Sequence, residues 1–282
     1  MADLILSAFA DEYSDSLSEQ LAAMQAFGIG HIELRHADGK NVSEMTYDDI
    51  TRVKALCSEH GVGVSAIGSP LGKISIEGDI PTHLELTRRI CETANHLDAK
   101  YVRMFSFYLP EGDEPSKWRG KVVDTLGSMI EIAECAGITL CHENEAQIYG
   151  ETPERCFDLL QTFSGRLRAV FDMGNFVLDG HDPIRAYELL FSYIAYFHIK
   201  DALYAGAIVP AGKGEAEIGH ILADFKARGG HSAYVSLEPH LETFAGLNAL
   251  VGKAFTNPYK YDNSQAAFED AVVNLKKVME SI

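Results

Sequence analysis

Basic residues are scarce: 24 Lys and Arg face 41 Asp and Glu, leaving a formal charge of -17 over 282 residues. A field of that sign repels polyanions, so nucleic acid is not expected as a partner. No apolar run approaches the roughly 18 residues of a membrane span, and no membrane partner is expected either. The opening stretch MADLILSAFADEYSD has no basic leader, and Asp11 and Glu12 interrupt it too early for a signal peptide. Cysteine is sparse as well. Cys57, Cys91, Cys135, Cys141 and Cys156 are odd in number and lack the CxxC spacing of a structural zinc site or redox pair. They read as reduced thiols, most of them packed in helices or strands, in a soluble cytoplasmic protein. Linkers rich in Pro, Gly or Ser are absent, as are low-complexity tracts, so residues 1–282 are expected to form one domain.

What recurs instead is a short β-branched or apolar run. LILSAF (4–9), HIELR (31–35), VGVSAIG (62–68), YVRMFSF (101–107), ITLCHEN (138–144), RAVFDMG (168–174), YFHIKD (196–201) and AYVSLEP (233–239) are candidate strands. Helical periodicity fills the intervals, as in Leu17, Leu21 and Met24 behind a Ser16/Glu19 capping box, or Phe268, Val272, Leu275 and Met279 near the end. Gly28, Gly61, Gly137 and Gly230 stand shortly before strands, where a helix C-cap belongs. Strict alternation demands parallel strands joined by right-handed crossovers. Eight repeats ending in a helix fit a closed α/β (β/α)₈ TIM barrel better than an open doubly wound sheet. The stretch from Leu241 to Asn263 is the longest connection without an obvious helix, and such loops at the C-terminal face commonly build the site.

In such a barrel functional side chains sit at the C-terminal ends of strands. The last four candidate strands end in Glu143, Asp172, His198 and Glu238. Alternation puts Cys141 with Glu143, Val170 with Asp172, Tyr196 with His198 and Ser236 with Glu238 on one face. If that face lines the barrel, the four converge near its axis. A lone acid at a strand end is more often a helix N-cap or a surface group. Four together near a core need pairing or a cation, and three carboxylates with one imidazole suit a divalent ion of borderline hardness. Mn²⁺ is the first choice, with Mg²⁺, Co²⁺ or Zn²⁺ as alternatives.

The segments LCHEN around Glu143, FDMGN around Asp172, FHIKDA around His198 and SLEPH around Glu238 give the chain its likeness to a known group. In their order and spacing it resembles the xylose isomerase-like barrel superfamily of sugar phosphate isomerases and epimerases, which also contains endonuclease IV. The resemblance implies that Glu143, Asp172, His198 and Glu238 bind one metal and that Glu143 and Glu238 double as acid and base. The implied reaction isomerises or epimerises a small sugar or sugar phosphate through an enediolate, in a protein that is monomeric or a homodimer. Two rivals use the same fold. A dehydratase of an inositol-derived ketone would eliminate water on the same metal site, and a barrel that has lost turnover would only bind sugar. An endonuclease IV-like phosphodiesterase is the weaker reading. The trinuclear zinc cluster of that enzyme needs further histidines, but Asn175 stands where a His would, SAIGSP and VRMFSF offer none, and IVPAGKGE lacks the Asp-x-His pair. Ketose 3-epimerases too commonly carry a His at the Asn175 position, which speaks against that particular activity.

Other polar residues are candidates to line a pocket. Lys200 shares a face with His198 and would reach a substrate oxygen, with Asp201 beside it. Glu33 and Arg103 are also in strands, where each either points into a polar pocket or lies at an end in solvent, and Arg103 would offer a fork to a carboxylate or phosphate if inward. Asn175, Lys200, Arg103 and Glu33 therefore form the expected substrate-binding set. Glu145, Tyr149, Lys213 and His240 are weaker candidates, and His142 is expected to face the helices.

Overall fold

The computed structural model describes residues 2–228, 230–242 and 258–282. Eight parallel strands close a barrel: β1 Leu4–Ala8, β2 His31–Leu34, β3 Gly63–Ile67, β4 Tyr101–Met104, β5 Thr139–Glu143, β6 Arg168–Asp172, β7 Ile194–Ile199 and β8 Ala233–Leu237. Each falls on one of the eight runs read from the sequence. Closure is made by β1 against β8, with Ser7 opposite Ser236. Helices α1 Leu17–Phe27, α2 Tyr47–His60, α3 Ile80–His96, α4 Pro115–Cys135, α5 Pro153–Thr162, α6 Met173–Leu178, α7 Pro183–Leu190, α8 Ile218–Arg228 and α9 Ser264–Glu280 follow the strands. The open-sheet alternative is thereby excluded.

Two layers of packing result. Outward side chains such as Ile32, Val102, Leu140, Phe171, Phe197 and Val235 meet the helices in the large apolar core. Inward, Ala66, Cys141, Val170 and Tyr196 plug the barrel and form the floor beneath its upper end. This is the face that alternation assigned to the site. A register shift between Ala169 and Val170 against β7 pairs Val170 with Tyr196, and Asp172 then lies opposite His198.

Local signals were obeyed unevenly. Gly28 and Gly61 take the left-handed conformation at φ 65° and close α1 and α2. Gly137 and Gly230 also have positive φ, just beyond the last helical residues. The Ser16/Glu19 capping box does not form. Ser16 makes no side-chain cap, the Ser14 hydroxyl donates to Glu19 at 2.5 Å, and the Leu17 N–H is met by Asp38 from the loop after β2. A capping box does occur at α2, between Thr46 and Asp49. Cys57, Cys91, Cys141 and Cys156 are buried and Cys135 is exposed, all as free thiols. Among the described residues no helix is long and apolar enough to cross a membrane.

Candidate metal centre

At the C-terminal end of the barrel the four strand-end residues come together. Glu143 closes β5, Asp172 closes β6, His198 stands one residue before the end of β7, and Glu238 follows β8 directly. One donor atom from each lies within 4.8 Å of those of the others, and all four residues are buried. His198 Nδ1 is 3.1 Å from Glu143 Oε1 and 3.5 Å from Glu238 Oε2. Asp172 also serves the capping role expected of strand-end acids. Its Oδ1 accepts the Asn175 N–H at 2.8 Å and starts α6, which leaves Oδ2 facing the cluster. Asn144 clamps the same backbone, donating to the Asp172 carbonyl and accepting from its N–H.

Cations are interleaved with these acids. Lys200 Nζ donates to Asp172 Oδ2 at 2.8 Å, Asn175 Oδ1 at 3.0 Å and Glu238 Oε2 at 3.1 Å. Arg103 Nη1 lies 3.3 Å from Glu143 Oε2 and 3.5 Å from Glu238 Oε1, while its Nη2 holds the Gly68 carbonyl. Arg35 donates to Glu238 Oε1 at 2.8 Å and to Asp11 and Glu12 on its other side. Both guanidiniums lie against the Phe9 ring, which also meets His198 edge-on. Six buried carboxylates, those of Asp11, Glu12, Glu33, Glu143, Asp172 and Glu238, thus meet three cations and the imidazoles of His198 and His240.

That excess of negative charge shapes the titrations. Burial opposes ionisation of Glu143, but His198 and Arg103 outweigh it and bring its pKa down to about 2. Burial likewise works against the Glu238 carboxylate, yet Lys200, His240 and His198 hold it well below the usual range. At Asp172 burial wins over Lys200 and raises the pKa to about 6, and at Glu12 burial raises it to about 8 despite Arg35. Burial would discharge His198, but Glu33 and Glu143 keep its pKa well above the ordinary value. Carboxylates crowded until some retain protons are a set that a divalent cation satisfies. The observed donors fit such an ion, with three oxygen ligands and one nitrogen converging on a point. Glu143 Oε2, although near Arg103, is a buried oxygen with no hydrogen bond among the described residues.

A model of the xylose isomerase-like TIM barrel family matches residues 21–266. The chain belongs to that family. A search of curated proteins returned no match. Among solved structures, one similar chain is a xylose isomerase-like TIM barrel protein from Mycobacterium smegmatis in complex with magnesium, at 15% identity and TM-score 0.71, with 100% of this chain and 98% of that one covered. A probable 3-DHS dehydratase from Bacillus anthracis aligns at 17% identity and TM-score 0.73, covering 97% and 98%. The D-psicose 3-epimerase of Clostridium cellulolyticum, solved with D-tagatose, aligns at 13% identity and TM-score 0.74, covering 98% and 99%. Identities this low establish a shared fold alone.

Within this xylose isomerase-like barrel the remaining expected residues separate clearly. Asn175 and Lys200 lie in the cluster, with Asn175 Nδ2 2.9 Å from the Asn144 carbonyl. Arg103 points inward, but its fork is divided, with Nη1 near both glutamates and Nη2 on the Gly68 carbonyl. Glu33 is inward too, but its oxygens are taken by Tyr196 and His198. Asp201 turns away from Lys200 and accepts the backbone N–H groups of Ala202, Gly212, Gly214 and Ala216. Lys213 therefore rides, exposed, on a pinned loop. Tyr149 donates to Asp158 on α5, and Glu145 pairs with Lys73 at 3.1 Å. His142 faces outward to Ser106. His240 stands 3.5 Å from Glu238 and 3.4 Å from Glu12. Residues 243–257, most of the long connection expected at the site, lie outside the described residues. Arg35, Asp11, Glu12 and Asn144 escaped the sequence reading. Alternation from Glu33 could have found Arg35, two residues on, whereas Asp11 and Glu12 sit in a turn that no periodicity marks.

Proposed function

We propose that the chain is a divalent-metal-dependent isomerase or epimerase of a small sugar or sugar phosphate. In this reading it moves a proton between adjacent carbons of a hydroxy-ketone or hydroxy-aldehyde through an enediolate. The observation that carries the reading is the convergence of Glu143, Asp172, His198 and Glu238 within 4.8 Å in a buried site. These four would hold the ion, with Mn²⁺ the first choice and Mg²⁺, Co²⁺ or Zn²⁺ as alternatives. When bound, it would polarise the substrate oxygens and offset the charge that develops on them. Glu143 and Glu238 stand three strands apart round the barrel, which supports roles on two sides of a substrate. One takes the proton from carbon and the other returns it. Lys200 supplies a positive charge to the substrate oxygen on which negative charge builds. Asn175 orients that oxygen, and Arg103 helps keep Glu143 ionised.

Metal analysis of protein purified without added metal tests the site. About one divalent ion per chain is expected, and it should be lost in both Asp172→Asn and Glu238→Gln. Solvent deuterium should enter a turned-over sugar, and Glu143→Gln should slow that exchange by about 100-fold or more. Absence of metal even after reconstitution defeats the reading. Three zinc ions per chain would point instead to phosphodiester cleavage, and a product lighter by one water to a dehydratase.

A further inference from the structure

Glu33 is a buried carboxylate at the centre of the barrel that the proposed chemistry does not use. It rises from β2, while both of its partners stand on β7, three strands away round the barrel. Tyr196 and His198 are two residues apart on β7 and so share its inward face. The Tyr196 hydroxyl donates to Glu33 Oε1 at 2.9 Å, and His198 Nε2 lies 3.1 Å from Glu33 Oε2. Each oxygen of the carboxylate therefore has one partner, and the side chain is a strut across the barrel. The strands on either side of β2 carry small polar side chains. Ser7 and Ser65 hydrogen-bond each other at 2.7 Å, and Ser236 is opposite Ser7.

The imidazole of His198 is thus addressed differently at its two nitrogens. Nδ1 faces the oxygens of Glu143 and Glu238, the cluster that would hold an ion. Nε2 faces Glu33. An imidazole that binds a cation through one nitrogen has released that nitrogen's proton and keeps the other, and an ionised carboxylate can only accept. We propose that Glu33 is a positioning residue of the metal centre, accepting the Nε2 proton of His198 so that the Nδ1 lone pair is presented to the cation, with Tyr196 fixing the carboxylate. The proposal rests on the metal reading above. Phe9 packs edge-on against the imidazole at 5.0 Å. A metal-bound histidine whose other nitrogen donates to a carboxylate is a more basic and better oriented ligand. The strut also gives this buried acid two polar partners in place of water.

The test is Mn²⁺ binding by calorimetry to the wild-type protein, Glu33→Gln and Tyr196→Phe, with circular dichroism to confirm folding. Glu33→Gln should bind about 10- to 100-fold more weakly, and Tyr196→Phe should fall between it and wild type. Nitrogen-15 shifts of His198 in Zn²⁺-loaded wild-type protein give a readout that does not depend on any variant folding. They should show Nδ1 coordinated and Nε2 protonated. Coordination through Nε2, or a folded Glu33→Gln that binds Mn²⁺ as tightly as wild type, overturns the assignment of Glu33 while leaving the metal centre in place. Wild-type protein that binds no ion overturns the metal reading and this inference with it.

Discussion

The ammonium of Lys200 lies among the oxygens of Asp172 and Glu238 that a metal would also take. Such a group opposes binding of a second cation while serving a substrate anion. Lys200→Gln should therefore tighten Mn²⁺ binding by about tenfold, ~1.4 kcal/mol, because one competing positive charge within contact distance is removed. Turnover should fall at the same time. Calorimetry and deuterium exchange on the same preparation separate the two effects, and weaker metal binding in the variant would show that the lysine supports the ion. Residue identity at this scale was partly legible in the sequence. Glu143, Asp172, His198 and Glu238 stood out because each ends an apolar run, and a strand that ends in an acid is rare unless something meets the charge. Glu33 was visible as a strand acid that would face either a polar pocket or solvent, but its engagement with His198 depends on a contact across the barrel that no local pattern encodes.

At the scale of elements, close backbone contacts position the site. A Cβ on Gly174 would stand 2.5 Å from the carbonyl oxygen of Lys200, so the first turn of α6 packs directly on the strand end that carries the lysine. Gly174→Ala must push these two backbones apart. It should destabilise the fold by about 1–3 kcal/mol, read as a lower urea midpoint, and weaken metal binding through Asp172 and Lys200. The segment after β3 is zippered to the segment after β4 by Phe105 N–H to Leu71 and Phe107 N–H to Gly72. There the Gly72 N–H donates to His83 Nε2 at 2.8 Å, which requires an unprotonated nitrogen. Burial holds the His83 pKa below the ordinary value. A base with a depressed folded-state pKa stabilises the fold above its unfolded pKa, roughly 6.5, and that contribution is lost as pH falls below it. The part of the urea midpoint's pH slope that His83 supplies should be downward between about pH 7 and pH 5, against the opposite slope from Asp172 and Glu12. His83→Gln, which does not titrate, should remove that part. An unchanged slope would place the acid sensitivity elsewhere. Strands and their order were readable because β-branched runs and alternation are local properties. The Ser16/Glu19 box failed because Asp38, supplied by tertiary structure, reached the helix start first.

For the whole molecule, the relevant quantity is the surplus of buried acid at one end of the barrel. An ion that binds the folded chain and not the unfolded one stabilises it by mass action. Saturation at about a hundred times the dissociation constant should add ~2.7 kcal/mol. For a chain of this size that is a melting midpoint about 5–10 °C higher. The rise should vanish in Glu238→Gln, and differential scanning calorimetry with and without Mn²⁺ measures it. A midpoint that climbs equally in the variant would mean that the ion acts on the acidic surface.

Arg35, Arg103 and Lys200 already engage the central acids from within the chain. The barrel therefore has an internal placeholder for the charge that an ion would bring, and assembly need not wait for one. Such a protein can emerge from the ribosome, close its barrel and only afterwards be charged from whatever pool of ions surrounds it. On the proposed reading the choice among metals would then fall to a site already assembled, so that the ion found in it would record the conditions the molecule has met since it folded.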